Sequence, residues 1–91
     1  MYQKGSSIPR HVHRAIKREI ERTTEVLVVQ SGACKCHFHD DAGHVILTAE
    51  LGTGDVLCIL DGAHSFEFIL DTVLLEVKQG PYLGKDEKII L

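Results

Sequence analysis

The chain has 91 residues and a formal net charge of −3, a length that forms one small domain and leaves no room for a second core. Hydrophobic residues make up 44% of the chain and charged residues 25%, a composition typical of globular proteins that excludes a disordered one. No apolar run approaches the roughly 18 residues that a membrane helix needs. We therefore expect a single domain over residues 1–91 that does not cross a membrane.

The N-terminal region differs in charge from the rest. Residues 1–22 carry six Lys and Arg against two Glu, whereas residues 23–91 carry four Lys against eleven acidic residues. The basic stretch over residues 10–22 has no interleaved aromatic residues, so a solvated charged segment is favoured over a nucleic-acid site. No nucleic-acid partner is expected.

The cellular compartment is predicted from two features. Residues 1–14 have no apolar stretch of the kind found in secretory signals. The three cysteines cannot all pair with one another, which indicates free thiols and a reducing compartment. A cytoplasmic location is the expectation.

Turn signals every 8–12 residues indicate an all-β sandwich or barrel. The predicted strands cover residues 25–30, 33–39, 44–51, 56–60, 64–70 and 72–78. Between residues 15 and 24, Ile16 and Ile20 fit one face of a helix as well as one face of a strand. The pair Thr23-Thr24 and the strand that follows favour an extended hairpin over residues 14–24. The tail over residues 79–91 is less regular.

The second strand alternates between two kinds of side chain. Cys34 and Cys36 fall on one face, and His37 and His39 fall on the other, so they cannot form one metal cluster. We expect both cysteines and Cys58 to be small buried hydrophobic residues, with a thiol pair pointing into a pocket as the alternative.

The histidines near the following turn have a separate prediction. His37, His39 and His44 flank residues 40–43 and are expected to face solvent. A weak surface site for zinc or nickel is the alternative interpretation for these three residues.

His11 and His13 are the most informative pair in the chain. Two histidines at positions i and i+2 of an extended segment project to the same side, at a separation suited to binding one ion. Such a pair is a weak signal by itself, and its surroundings give it weight.

A glycine, two histidines, a glutamate and a second glycine are spaced in a way that resembles the first signature motif of the cupin superfamily. In that motif, Gly, His-x-His, Glu and Gly follow one another. Here the positions are filled by Gly5, His11, His13, Glu25 and Gly32. The intervals before the histidines and after the glutamate match the family. Eleven residues separate His13 from Glu25, where the family has three or four, and the predicted hairpin accommodates the difference.

A second cupin motif is filled less completely. Gly54, Gly62 and His64 occupy its positions, but Leu60 stands where the family has proline and Phe68 where it has asparagine. One residue fewer precedes His64. The resemblance spans about residues 5–80, and the tail over residues 76–82 looks like that of small cupins found among surface-polysaccharide and nucleotide-sugar genes.

The resemblance implies a fold and an assembly. The fold would be a small cupin-type β-barrel or jelly-roll sandwich. In the family, strands precede the His-x-His motif, whereas ten residues precede it here. We therefore expect the barrel to be completed by a partner's N-terminal strand, and the protein to be a homodimer, since open sheet edges favour pairing.

The resemblance also implies one divalent metal ion held by His11, His13, Glu25 and His64. Three imidazoles and a carboxylate suit Fe, Mn, Ni, Co or Zn, and an octahedral ion would keep two positions open. If Glu25 does not bind the ion, Glu19, Glu21 or water would complete the set. The alternative is a domain that keeps the fold without the ion.

The expected function is that of a small metal-binding cupin whose ligand is a small polar or carbohydrate-like molecule. Two alternatives stay open: a non-catalytic ligand-binding or sensor module, and a metal-free sugar-nucleotide isomerase or epimerase with His13 or His64 as base. Glu67, three residues after His64, is the candidate general base if it turns inward, although an exposed cross-strand charge is favoured. Gln79 and Tyr82 would line the barrel mouth or pack the tail.

Overall fold

The computed structural model describes residues 1–80 and 88–90. Six strands and no helix occur in this part of the chain: β1 (Glu25–Ser31), β2 (Ala33–His39), β3 (Val45–Gly52), β4 (Val56–Ile59), β5 (Ala63–Phe68) and β6 (Val73–Lys78). Every predicted strand is present, with its ends within two residues of the prediction. The all-β prediction is confirmed.

The strands form two three-stranded antiparallel sheets. One has the order β4-β1-β6 and the other has the order β3-β2-β5. The consecutive strands β1 and β2 are therefore the centres of different sheets. The chain passes between the sheets at Gly32, so a tight local geometry is required there.

Gly32 meets this requirement because it has no side chain. Its φ is +111°, a region that residues with a Cβ rarely adopt. A Cβ at this position would lie 2.5 Å from the carbonyl oxygen of Asp71 and 2.5 Å from the hydroxyl oxygen of Thr72. The connection between the sheets thus packs directly against the β5–β6 loop.

The core lies between the sheets and follows the two-residue alternation of the strands. Five side chains of the described residues are buried: Leu27, Val29, Cys34, Cys36 and Ile59. Phe38, Leu51, Leu57, Phe66 and Leu74 pack around them and are partly exposed. The prediction of burial is confirmed for the first two cysteines.

Cys58 is an exception to that prediction, because it is exposed. On β4, Leu57 and Ile59 contact the core, so Val56 and Cys58 project to the opposite face of the sheet. Cys58 pairs with Val26, which also lies on that outer face. All four residues of β4 are apolar, so the sequence did not show which side of the sheet Cys58 faces.

Residues 1–24 form no strand, and residues 1–22 are exposed along their whole length. The predicted hairpin over residues 14–24 is therefore not formed. Its apolar residues Ile16 and Ile20 are 62% and 53% exposed, so little burial offsets the entropy cost of ordering the backbone. We call residues 1–24 the N-terminal segment. Its end is fixed by an ion pair of 2.8 Å between Arg22 and Asp61.

The described part of the chain contains no helix of the length and hydropathy needed to cross a membrane.

Candidate functional site

Glu25 and His64 meet at one end of the space between the sheets. Glu25 begins β1 in the same inward row as Leu27, and His64 lies on β5 in the same inward row as Phe66. The Oε2 atom of Glu25 is 3.9 Å from the Nε2 atom of His64, and the two side chains are 15% and 25% exposed. The fold thus joins two of the four predicted metal ligands, although they belong to different sheets.

The His64 ring is held in one orientation and one tautomer. Its Nδ1 atom is 3.0 Å from the carbonyl oxygen of Gly62, which can only accept a hydrogen bond, so Nδ1 carries the proton. The Nε2 atom faces Glu25. The ring of Phe66 packs edge to face on the imidazole, with 6.1 Å between the ring centroids. A neutral imidazole held by a carbonyl through its other nitrogen is the arrangement that metal-binding histidines commonly have.

Two further polar side chains share this end of the sandwich. Lys78 pairs with Glu25 across β1 and β6, and Glu76 pairs with Leu27, so both lie in the inward row. The Lys78 Nζ atom is 3.5 Å from a Glu76 carboxylate oxygen. Sequence analysis did not single out Glu76. No local signal would have placed it, because Val73, Leu75 and Val77 form the more apolar row of β6 although they face outwards.

The pKa of Glu25 is raised above its ordinary value. Burial is the main cause, followed by a hydrogen bond with Glu76 and the negative charge of that residue, while His64 and Lys78 act in the opposite direction. The carboxyl group of Glu25 is therefore harder to ionise than that of an ordinary glutamate.

The buried thiols lie next to this group. Burial raises the pKa of both Cys34 and Cys36, and the neighbouring Cys34 and Glu25 raise that of Cys36 further. Raised values keep both thiols protonated, which is the state of a packed hydrophobic residue rather than of a thiolate ligand. The two cysteines close the inner end of the site.

His11 and His13 lie side by side, as their spacing predicted, on backbone that belongs to no strand. Their ring centroids are 5.3 Å apart and the rings are arranged edge to face. The Nδ1 atom of His11 is 2.9 Å from the carbonyl oxygen of Pro9, so it donates its proton there and leaves Nε2 as the lone-pair nitrogen. Both residues are exposed.

The structure does not bring the two histidines to Glu25 and His64. Within residues 1–80 and 88–90, no three His, Cys, Asp or Glu side chains are arranged so that they could hold an ion together. Glu19 and Glu21, the predicted substitutes for Glu25, line a shallow open depression beside Leu60. The predicted ligands are thus present as two separate pairs.

Glu67 lies on the outer face of β5, opposite in direction to His64. Its carboxylate is 3.2 Å from the Nε2 atom of His37, and its side chain is 66% exposed. The alternation of β5 makes this placement necessary, because His64 and Phe66 occupy the inward row. Glu67 is the cross-strand charge that the sequence favoured, and it is not positioned as a base in the interior.

The remaining histidines are held by neighbouring polar groups. The Nδ1 atom of His37 is 2.8 Å from the Thr48 hydroxyl, and the Nε2 atom of His39 is 2.8 Å from the Ser65 hydroxyl. His44 is 78% exposed and lies 3.3 Å from Asp40. The outer face of this sheet is therefore a polar network.

Of the two tail residues predicted at the barrel mouth, Gln79 donates a backbone hydrogen bond of 3.1 Å to Thr24. Tyr82 lies outside the described residues. Comparison with known proteins found no matching family model, no matching curated protein and no matching solved structure.

Proposed function

We propose that this chain is a small cupin-type domain that binds one divalent transition metal between its sheets and, through that metal, a small polar or carbohydrate-like molecule. The observation that carries the proposal is the meeting of Glu25 and His64. The cupin resemblance assigns these two residues to one ion, and nothing in the local sequence of either strand requires them to be neighbours.

The chemistry of the pair fits a metal. Nitrogen and oxygen ligands lie about 2.1 Å from ions such as zinc, so two atoms bound to one ion are at most about 4.2 Å apart. The separation of 3.9 Å between Glu25 and His64 is within this limit. It is also too long for a direct hydrogen bond, which leaves the His64 lone pair without a proton donor from Glu25. An imidazole and a carboxylate together suit Fe, Mn, Ni, Co or Zn.

The other half of the proposed site is the pair His11 and His13. Eleven residues separate His13 from Glu25, and an extended chain of that length reaches roughly 36 Å. The N-terminal segment forms no strand and buries none of its residues up to position 22, so moving it breaks no core packing. The ion pair of Arg22 with Asp61 at its end is exposed. In this proposal the segment folds over the end of the sandwich and completes the ligand set.

A bound metal supplies Lewis acidity and open positions at which a hydroxyl or carbonyl oxygen can bind. The chain's own residues supply the surroundings: Glu76 and Lys78 place opposite charges near a polar ligand, and the Cys34–Cys36 side excludes water.

One observation favours the second candidate function, a binding or sensor module without catalysis. Glu67, the residue predicted as general base, lies on the outer face and is bonded to His37. Ligand binding at the interior site needs no such residue. The two candidates differ in whether the ligand leaves chemically unchanged.

The first test is the metal content of protein purified without a His tag or chelator, followed by titration with Zn²⁺. About one equivalent in the wild type, lost in Glu25→Gln and in His64→Ala, is the expected result. His44→Ala is the matched control, because it removes an exposed imidazole that is not among the proposed ligands. Equal binding by the wild type and His64→Ala, or no binding by the wild type, would overturn the proposal.

A further inference from the structure

The outer face of the β4-β1-β6 sheet is a continuous apolar surface, which we call the apolar face. It consists of three cross-strand rows. Val26 pairs with Cys58 and Val77, Val28 pairs with Val56 and Leu75, and Val73 pairs with Ser31. The members of the face are Val26, Val28, Val56, Cys58, Val73, Leu75 and Val77. The edge-strand residues of this face are among the most exposed hydrophobic side chains of the sandwich.

The exposure of these residues shows that the monomer leaves the face uncovered. Val56 is 62% exposed, Val77 is 56% exposed and Leu75 is 46% exposed. At such exposures the face offers on the order of 500 Å² of apolar surface, which is the size at which an exposed patch marks an interaction site.

The outer face of the second sheet is more polar, although Ile46 on its edge strand β3 is 67% exposed. This outer face carries Lys35, His37 and Glu67, which are linked across strands by ion pairs and hydrogen bonds. The apolar face has no charged residue in any of its three rows. This difference indicates that the outer face of the second sheet contacts water and that the apolar face contacts protein.

We propose that the partner is a second copy of this chain, which packs its apolar face on the same face of the first. A two-fold interface brings a surface against itself, and such a surface must not oppose like charges. Residues 23–91 carry an excess of seven negative charges, so few parts of this domain can meet that condition. The apolar face meets it, because none of its members is charged.

The buried surface reaches the lower end of the range for specific interfaces. Two such faces bury roughly 1,000 Å², about the minimum for a specific interface and somewhat below the roughly 1,200 Å² of stable ones. Two sheets packed in this way form a further apolar layer about 10 Å thick. This layer would add to a core in which only five side chains of the described residues are buried. The inference does not depend on a metal.

The test is the molar mass of the full chain in solution at tens of micromolar, measured by sedimentation equilibrium. We expect a dimer for the wild type and a monomer for Leu75→Lys and for Val77→Lys, because each substitution opposes two positive charges across the two-fold axis. Ile46→Lys is the matched control: Ile46 is 67% exposed on β3 of the other sheet, and its substitution leaves the dimer intact. A monomeric wild type, or a dimer that persists in both face variants, would contradict the proposal.

A second measurement uses the wild-type protein alone, with Cys58 as the reporter, so it does not require that the substituted variants fold. Cys58 lies on the apolar face, whereas Cys34 and Cys36 are fully buried. We expect the reaction of Cys58 with a thiol reagent to slow at least tenfold between submicromolar protein and tens of micromolar protein, as dimers form and cover it. A rate that does not change with protein concentration would overturn the assignment of this face.

Discussion

Glu25 and His64 are fixed by paired strands, whereas His11 and His13 lie together on a segment that forms no strand and is exposed up to residue 22. The first pair is held before any ligand arrives, since its backbone belongs to the sheets and the tautomer of His64 is set by Gly62. The second pair has to be ordered by binding, and ordering backbone costs about 1–2 kcal/mol per residue. In the proposed site, Glu25 and His64 are therefore in place before an ion binds, whereas His11 and His13 become ordered only when they bind it.

The largest difference between the two regions is expected in the free energy of unfolding when one glycine in each region is replaced by alanine. Gly32→Ala places a Cβ against the Asp71 carbonyl and forces an alanine into a positive φ, so it should lower the free energy of unfolding by about 3–4 kcal/mol. Gly5 also has a positive φ, but nothing lies within 4 Å of its position. Gly5→Ala should therefore leave the urea midpoint within experimental error. A comparable loss of stability in both variants would show that the N-terminal segment is part of the folded core.

The next largest effect concerns the affinity for Zn²⁺. His64→Ala removes a ligand that is already in position, and we expect a loss of about 100-fold, equivalent to about 2.7 kcal/mol. His11→Ala should cost about tenfold, because part of what its binding contributes is spent on ordering the segment. Isothermal titration calorimetry measures both. A larger loss in His11→Ala than in His64→Ala would reverse the roles assigned to the two halves.

A smaller effect should appear in the pH dependence of stability of the metal-free protein. The pKa of Glu25 is raised above 4.5 in the folded state, so its contribution is fully present below pH 4.5 and is lost as the pH rises through the folded-state value. Glu25→Gln removes this dependence. The variant should gain stability relative to the wild type between pH 4 and pH 7, as measured by urea unfolding at both values. An unchanged difference between the two proteins across this range would contradict the raised pKa.

The smallest effect is expected at Glu67. Its exposed ion pair with His37 contributes less than about 1 kcal/mol, and Glu67→Gln keeps a hydrogen-bond acceptor at the same place. Neither the urea midpoint nor the affinity for Zn²⁺ should change measurably. A marked loss of metal affinity in this variant would place the ion on the outer face of the β3-β2-β5 sheet.

The strands could be predicted from sequence because each lies between turn residues, and because β2 alternates strictly between Cys and Lys or His. The face of Cys58 could not be predicted, since β4 is four residues long and all apolar. Glu76 was missed for a related reason: the apolar run of β6 conceals which row is inward. Ile16 and Ile20 fit one face of a helix as well as one face of a strand, so no local pattern showed that residues 14–24 form neither.

The proximity of Glu25 and His64 was expected from the cupin-like motif and not from the alternation of side chains along the strands. They belong to strands of different sheets, so their proximity is a product of sheet packing, which local propensity does not encode. The same limit applies to His11 and His13, whose pairing is local and was predicted, while their position relative to the sandwich was not.

The most direct test of the central claim is a titration of the ¹⁵N-labelled protein with Zn²⁺, followed by long-range proton–nitrogen correlations of the six imidazoles. We expect the Nε2 resonances of His11, His13 and His64 to shift together and to stop shifting at one equivalent. Those of His37, His39 and His44 should stay in place. A shift confined to these last three residues, or a shift of His11 and His13 without His64, would contradict a metal site built from the two halves.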